Sequence, residues 1–265
     1  MENSFNNRLL SKCKQVNNRL CIGLDIDPDK LPSHISDLKS VEDFTKEIID
    51  STIEFCPVYK PNFAFYERFG SKGFALLENI VQHIGNRAIT IADAKRGDIG
   101  NTSKHYANSI FNQFGFDSIT ISPYMGSDAI TPFIEDETKG VFVLCLTSND
   151  SAKDFQFITE NNNQLYEIVA TKTQSLNNNN NIGLVVGATN KHQMRSLKEK
   201  TPFLPWLIPG IGAQGGDLET SVKIGNQKGL GIINVSRSII YAGDGSIEDI
   251  SKSALDYTKK IRSFL

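Results

Sequence analysis

"AITIADAKRGDIGNT" (Ala88–Thr102) starts as a β-branched apolar run and ends in charged residues, two glycines and Thr102, a helix-start residue. The run Ala88–Asp93 reads as a short buried strand, and its polar continuation reads as the loop leading into a helix. Asp93, Lys95 and Asp98 are thereby crowded where the strand ends.

The same grammar recurs along the chain. The strand candidates are "LCIGLDI" (20–26), "PVYKP" (57–61), "AITIAD" (88–93), "SITIS" (118–122), "GVFVLCL" (140–146), "IGLVVG" (182–187), "WLIPG" (206–210) and "GIINV" (231–235). Amphipathic stretches lie between them: "VEDFTKEIIDSTI" and "SIEDISKSALDYTKKIRSF" space their apolar residues three and four apart. An extra helix is expected at about residues 4–15, in "NSFNNRLLSKCK". Parallel strands joined by crossover helices give this alternation, and eight units predict an α/β fold, a single-domain (β/α)8 TIM barrel over residues 1–265. An open doubly wound sheet is the alternative. The run Asn177–Asn181 has little apolar character and reads as a solvated loop without function.

The chain has 265 residues, 39% of them hydrophobic, and its net charge is −2. That balance provides no field for nucleic acid or an anionic membrane and points to small-molecule partners. Cys13, Cys21, Cys56 and Cys145 are scattered without a CxxC pair, which predicts neither a zinc site nor a disulfide framework and suits a reducing, cytoplasmic setting. The first residues lack an apolar signal core, and no apolar run reaches the roughly 20 residues of a membrane span. The four histidines lack metal-ligand spacing.

In a (β/α)8 barrel the site lies at the C-terminal strand ends. Those ends hold Asp25 and Asp27, Lys60 and Asn62, Asp93, Lys95 and Asp98, Ser122, Thr147 and Ser148, "PGIGAQGG" (209–216) and "NVSRSI" (234–239). Asp93 and Lys95, two apart, face one mouth if the strand persists that far, and Gly97 lets the chain turn before Asp98. An ordinary surface ion-pair cluster has the same composition; position at the mouth favours a site in which acids hold a lysine protonated for donation to a carbanion. The four glycines of "PGIGAQGG" let backbone N–H groups approach an anion, and Arg237 adds a planar fork, so together they read as a phosphate grip.

"DAKRGDIGNT", together with "GLDIDP", "YKPNFAFYE", "SPYMGSDAI", "LCLTSN", "PGIGAQGGD" and "NVSRSI", all in order, resembles the orotidine 5′-phosphate decarboxylase family, in particular its longer bacterial-type (type 2) branch. The resemblance implies a cytoplasmic homodimer that converts orotidine 5′-monophosphate to UMP in pyrimidine synthesis without metal or organic cofactor. It implies a catalytic network of Lys60, Asp93, Lys95 and Asp98, with Lys95 protonating C6 and with Asp98, Ile99 and Thr102 reaching the neighbouring subunit's site. Asp25, Lys60, Asn62 and Thr102 would hold the ribose hydroxyls, Thr147 and Ser148 the pyrimidine edge, and Gln214 and Arg237 the 5′-phosphate. A 3-hexulose-6-phosphate synthase-like aldolase shares the fold and a D-x-K-x-x-D segment but uses Mg²⁺; Lys60 and Arg96 argue against it. A non-catalytic nucleotide-binding module would need the phosphate grip but neither Lys95 nor Asp98.

Overall fold

The structure, a computed structural model, describes residues 3–212 and 215–265. Strands β1 (Leu20–Leu24), β2 (Val58–Pro61), β3 (Ile89–Arg96), β4 (Ser118–Ile121), β5 (Gly140–Leu146), β6 (Ile182–Val186), β7 (Trp206–Ile208) and β8 (Gly231–Val235) close into a parallel barrel in chain order. β8 returns to β1 with Leu20 opposite Ile233 and Cys21 opposite Asn234. The closed ring excludes the open-sheet alternative. Around it lie α1 (Phe5–Gln15), α2 (Leu38–Thr52), α3 (Ala64–Glu67), α4 (Ser71–Ile84), α5 (Gly100–Asn108), α6 (Leu165–Leu176), α7 (Lys191–Lys200), α8 (Leu218–Gly225), α9 (Arg237–Ile240) and α10 (Ile247–Phe264). The β4–β5 crossover has only two 3₁₀ turns, Ser127–Ala129 and Thr131–Phe133, where a helix was expected.

Period-two alternation sorts the strand residues into two apolar clusters. Leu20, Ile22, Tyr59, Ile119, Val141, Val143, Leu184 and Trp206 pack outward against the helices. Cys21, Val58, Ile89, Ile91, Phe142, Val185, Leu207 and Ile232 fill the barrel, and Phe5, Leu9 and Cys13 of α1 join them. The Phe5 ring meets Phe142 edge-on, with centroids 6.0 Å apart. A methyl at Gly140 would overlap that ring, so the glycine at the start of β5 is what admits Phe5. The expected N-terminal helix therefore plugs the bottom of the barrel, and the C-terminal mouth remains for chemistry.

The reading of Asn177–Asn181 as a solvated, idle loop is incorrect. Asn181 is fully buried, and its Nδ2 donates to the carbonyls of Ile134, Asp136 and Lys139 at 3.0–3.1 Å. Asn177 Oδ1 accepts the N–H groups of Asn181 and Ile182, and Asn180 Nδ2 donates to Ser4 Oγ. Side-chain amides here satisfy backbone groups of a crossover that lacks a helix, a bond pattern invisible to a search for apolar periodicity.

Candidate active site

The strand period carries the barrel interior upward into the mouth. Two residues above Val58 comes Lys60, above Ile91 Asp93, above Ser118 Thr120, above Ile232 Asn234, and above Gly23 Asp25; all five upper residues line one cavity. Its other walls are the apolar Leu144, Val185, Leu207 and Ile211, and its rim carries Lys95, Thr147, Ser148 and Arg237.

Lys60 is not an edge lysine: it is only 4% exposed, with Nζ 2.7 Å from Asp93 Oδ2 and 3.8 Å from Asp25 Oδ1. Lys95 Nζ lies 2.5 Å from the other oxygen of Asp93, so a carboxylate sits between two ammonium groups. Burial by itself would raise the pKa of Asp93, but the Lys60 and Lys95 charges and their hydrogen bonds outweigh it and hold the carboxyl well below the usual range. Burial likewise opposes the charge on Lys60, and Asp93 and Asp25 overcome it, keeping the ammonium protonated well into the alkaline range. Asp25 lines the cavity, and its buried Oδ1 faces the Lys60 ammonium without accepting a hydrogen bond from the described residues.

Asp93 and Lys95 do not meet by simple alternation. Ala92 pairs with Ile119 and Arg96 with Ile121, four steps on β3 against two on β4, so the strand bulges between them. Within the bulge Lys95 has φ +47°, and its side chain folds back onto Asp93. The expected turn at Gly97 is also misplaced. Left-handed backbone falls at Lys95 and at Gly100, whereas a methyl at Gly97 would lie 3.1 Å from the Ser122 carbonyl, so Gly97 serves close approach of β4. Arg96 anchors the bulge: its guanidinium lies 5.3 Å from the Phe63 ring centre and 5.4 Å from that of Tyr106, and it bonds to Glu67 at 2.6 Å.

Asn62, Asp98, Ile99 and Thr102 do not line this cavity. Asn62 forms a parallel bridge with Asp93 and accepts the Ala64 N–H. Asp98 accepts the N–H of Ile99, which caps α5, so Thr102 lies inside the first turn and does not start the helix. Ser122, expected at the mouth, gives its place to Thr120; its N–H bonds the Arg96 carbonyl. Thr147 is clamped by Gln156, which accepts its N–H at 2.8 Å and donates to its hydroxyl at 2.7 Å. Tyr241 ties down the end of β1, accepting the Asp27 N–H at 2.7 Å and donating to the Asp25 carbonyl at 2.8 Å. Sequence reasoning missed Thr120, Gln156 and Tyr241; counting in twos from the buried strand residues would have found the first, while Asn234, within the expected 234–239 stretch, does line the cavity. In the glycine-rich loop, Gly210 and Gly212 have φ +100° and +82° and Gly210 lines the cavity beside Arg237, while Gln214 lies outside the described residues.

A charged row above an apolar barrel, with a glycine loop and an arginine at the far rim, defines a (β/α)8 enzyme that works with fixed charges at its C-terminal mouth. Comparison with known proteins makes the class specific. The model of the orotidine 5′-phosphate decarboxylase / HUMPS family matches residues 18–248, and the chain belongs to that family. It is 47% identical over 265 residues to an orotidine 5′-phosphate decarboxylase of Dehalococcoides mccartyi, covering 96% of each chain. A relative of the same name from Christiangramia forsetii is 45% identical over 232 residues, 86% of this chain and 85% of that one. The structure of Leishmania donovani OMP decarboxylase superposes with a TM-score of 0.86 at 35% identity, covering 98% of both chains. That organism's UMP synthase superposes with a TM-score of 0.88 at 36% identity, covering 98% of this chain and 56% of the synthase.

Proposed function

We propose that the cavity decarboxylates orotidine 5′-monophosphate to UMP through the row Asp25, Lys60, Asp93 and Lys95. The observation that carries this reading is the half-buried Asp93 carboxylate held between two ammonium groups at 2.7 and 2.5 Å. The substrate carboxylate binds beside Asp93. As its bond to C6 breaks, CO₂ departs, the electron pair stays on C6, and Lys95 first stabilises that charge and then gives it a proton. Lys95 regains its proton from water, so the net consumption is one proton per turnover.

Asp25 and Lys60 hold the ribose hydroxyls, a role supported by their place in the cavity wall, and Asn62 reaches the ribose from beside Asp93, to which its backbone is bridged. Thr147 and Ser148 read the pyrimidine edge, and Gln214 and Arg237 hold the 5′-phosphate. The working unit is a cytoplasmic homodimer in which Asp98, Ile99 and Thr102 serve the neighbouring site. Their position outside their own chain's cavity supports this, as do the exposed apolar side chains Ile99 and Tyr106 at and on α5 and Tyr124 and Met125 in the loop after β4. Four free, buried thiols suit the cytoplasm.

The aldolase reading of the same family scaffold needs a divalent cation among carboxylates. Here the Lys60 ammonium occupies the space between Asp25 and Asp93, and no group of three ligating residues capable of holding a metal occurs among the described residues. Following the loss of orotidine monophosphate absorbance in EDTA separates the two. Turnover is expected to survive chelation; loss in EDTA with recovery on adding Mg²⁺ would overturn the proposal.

A further inference from the structure

Thr120 stands across from the β3 bulge. It is 2% exposed and lines the cavity. Its hydroxyl accepts the backbone N–H of Lys95 at 3.1 Å and donates to Asp93 Oδ1 at 3.0 Å. That N–H belongs to the residue with φ +47°, a left-handed region that a long side chain leaves unless its surroundings hold it there. The Asp93 oxygen is the same one that Lys95 Nζ contacts.

We propose that Thr120 is a positioning residue for the lysine proton donor: its hydroxyl fixes the left-handed Cα from which Lys95 extends and stays on Asp93 when the ammonium moves to the reacting carbon. The inference rests on the decarboxylation reading. The Lys95 ammonium has three N–H groups, but as it shifts toward C6 its contact with Asp93 Oδ1 lengthens, and with Lys60 bonded to the opposite oxygen, Oδ2, a second donor on Oδ1 keeps the carboxylate in place during the transfer. Thr120 is that donor, and its accepting lone pairs simultaneously set where the flexible lysine stem begins. The group acts on the proton-transfer geometry and not on ribose or phosphate, so its loss falls on kcat.

Thr120→Val keeps the shape and removes both bonds, whereas Thr120→Ser keeps both. We expect Thr120→Val to lower kcat roughly 10- to 100-fold, the loss of one hydrogen bond to a charged group, with KM for orotidine monophosphate and Kd for UMP within about threefold. Thr120→Ser should stay within about threefold of the parent in all three. Parental kcat in Thr120→Val, equal losses in kcat and UMP affinity, or a Thr120→Ser variant as impaired as Thr120→Val would each overturn the inference. Circular dichroism checks folding, and Thr120→Ala repeats the test should the valine variant misfold. A parent inactive on orotidine monophosphate would instead overturn the proposed function. Crystal structures of parent and Thr120→Val then decide the positioning role: an unchanged Lys95 φ and Asp93 carboxylate refute it, and a relaxed bulge supports it.

Discussion

Lys198 on α7 places a cation where no ion pair among the described residues neutralises it. It is 2% exposed, its Nζ has no hydrogen-bond partner among the described residues, and it lies 4.6 Å over the Trp206 ring. Burial pulls its pKa down to about 8 from the ordinary 10.5. The unfolded chain therefore binds more protons than the folded one between those values, and stability should rise with pH across that window. Lys198→Met should remove the rise and, at pH 7, stabilise the protein by about 1–3 kcal/mol, the aromatic face already returning part of the desolvation cost. Urea titrations of parent and variant at pH 7 and 10 measure both effects; a parallel pH response in the two would show that Lys198 does not titrate there. At the site, Lys95→Ala should lower kcat by roughly 10²- to 10⁴-fold, the range of a lost general acid, while leaving UMP affinity nearly unchanged. Arg237→Ala should instead raise KM by roughly 10- to 100-fold through loss of a charge-assisted bond to phosphate. Steady-state kinetics with UMP titrations distinguish the two signatures.

Among the elements, the β4–β5 crossover depends most on borrowed contacts. It has no α-helix, and the three carbonyls of Ile134, Asp136 and Lys139 converge on the Asn181 amide at the start of β6. Asn181→Ala would leave buried acceptors without their donor and should cost about 2–4 kcal/mol, read as a lower urea midpoint with an unchanged slope. Asn178→Ala, at an exposed position of the same run, is the control and should be nearly neutral. The run was misread because apolar periodicity is blind to a side-chain amide that replaces a helix. The β3 bulge was unreadable for a related reason: the sequence shows Asp93 and Lys95 two apart, but the left-handed turn at Lys95 comes from the β4 register and from Arg96 stacking between Phe63 and Tyr106.

For the molecule as a whole, the proposed dimer makes a test by subunit mixing. If a site takes Lys95 from its own chain and Asp98 from the partner, Lys95→Ala and Asp98→Ala homodimers are each nearly inactive. A mixed dimer holds one site with both lesions and one with neither. Random exchange makes about half of the dimers mixed, so roughly a quarter of parental activity should return, by two-fold symmetry. Self-mixing of either variant should restore nothing. Demonstrated exchange without recovery would assign Asp98 to its own chain's site.

Eight apolar runs separated by amphipathic stretches were sufficient to determine a parallel α/β architecture, because a strand buried on both faces must be apolar along its length and a crossover helix must alternate every three to four residues; closure into a barrel was decided by the pairing of β8 with β1. The charged residues at the strand ends were equally legible, since in this architecture only the C-terminal mouth is open to chemistry. Which of them meet was decided by tertiary structure. Lys60 turns inward into burial, Thr120 displaces Ser122, Asn62 and Asp98 are not among the residues lining the cavity, and Asn181 becomes a staple. Each of these depends on register between strands, and register is set by closure of the ring and by hydrogen bonds between residues far apart in the chain, neither of which is local to any stretch of sequence.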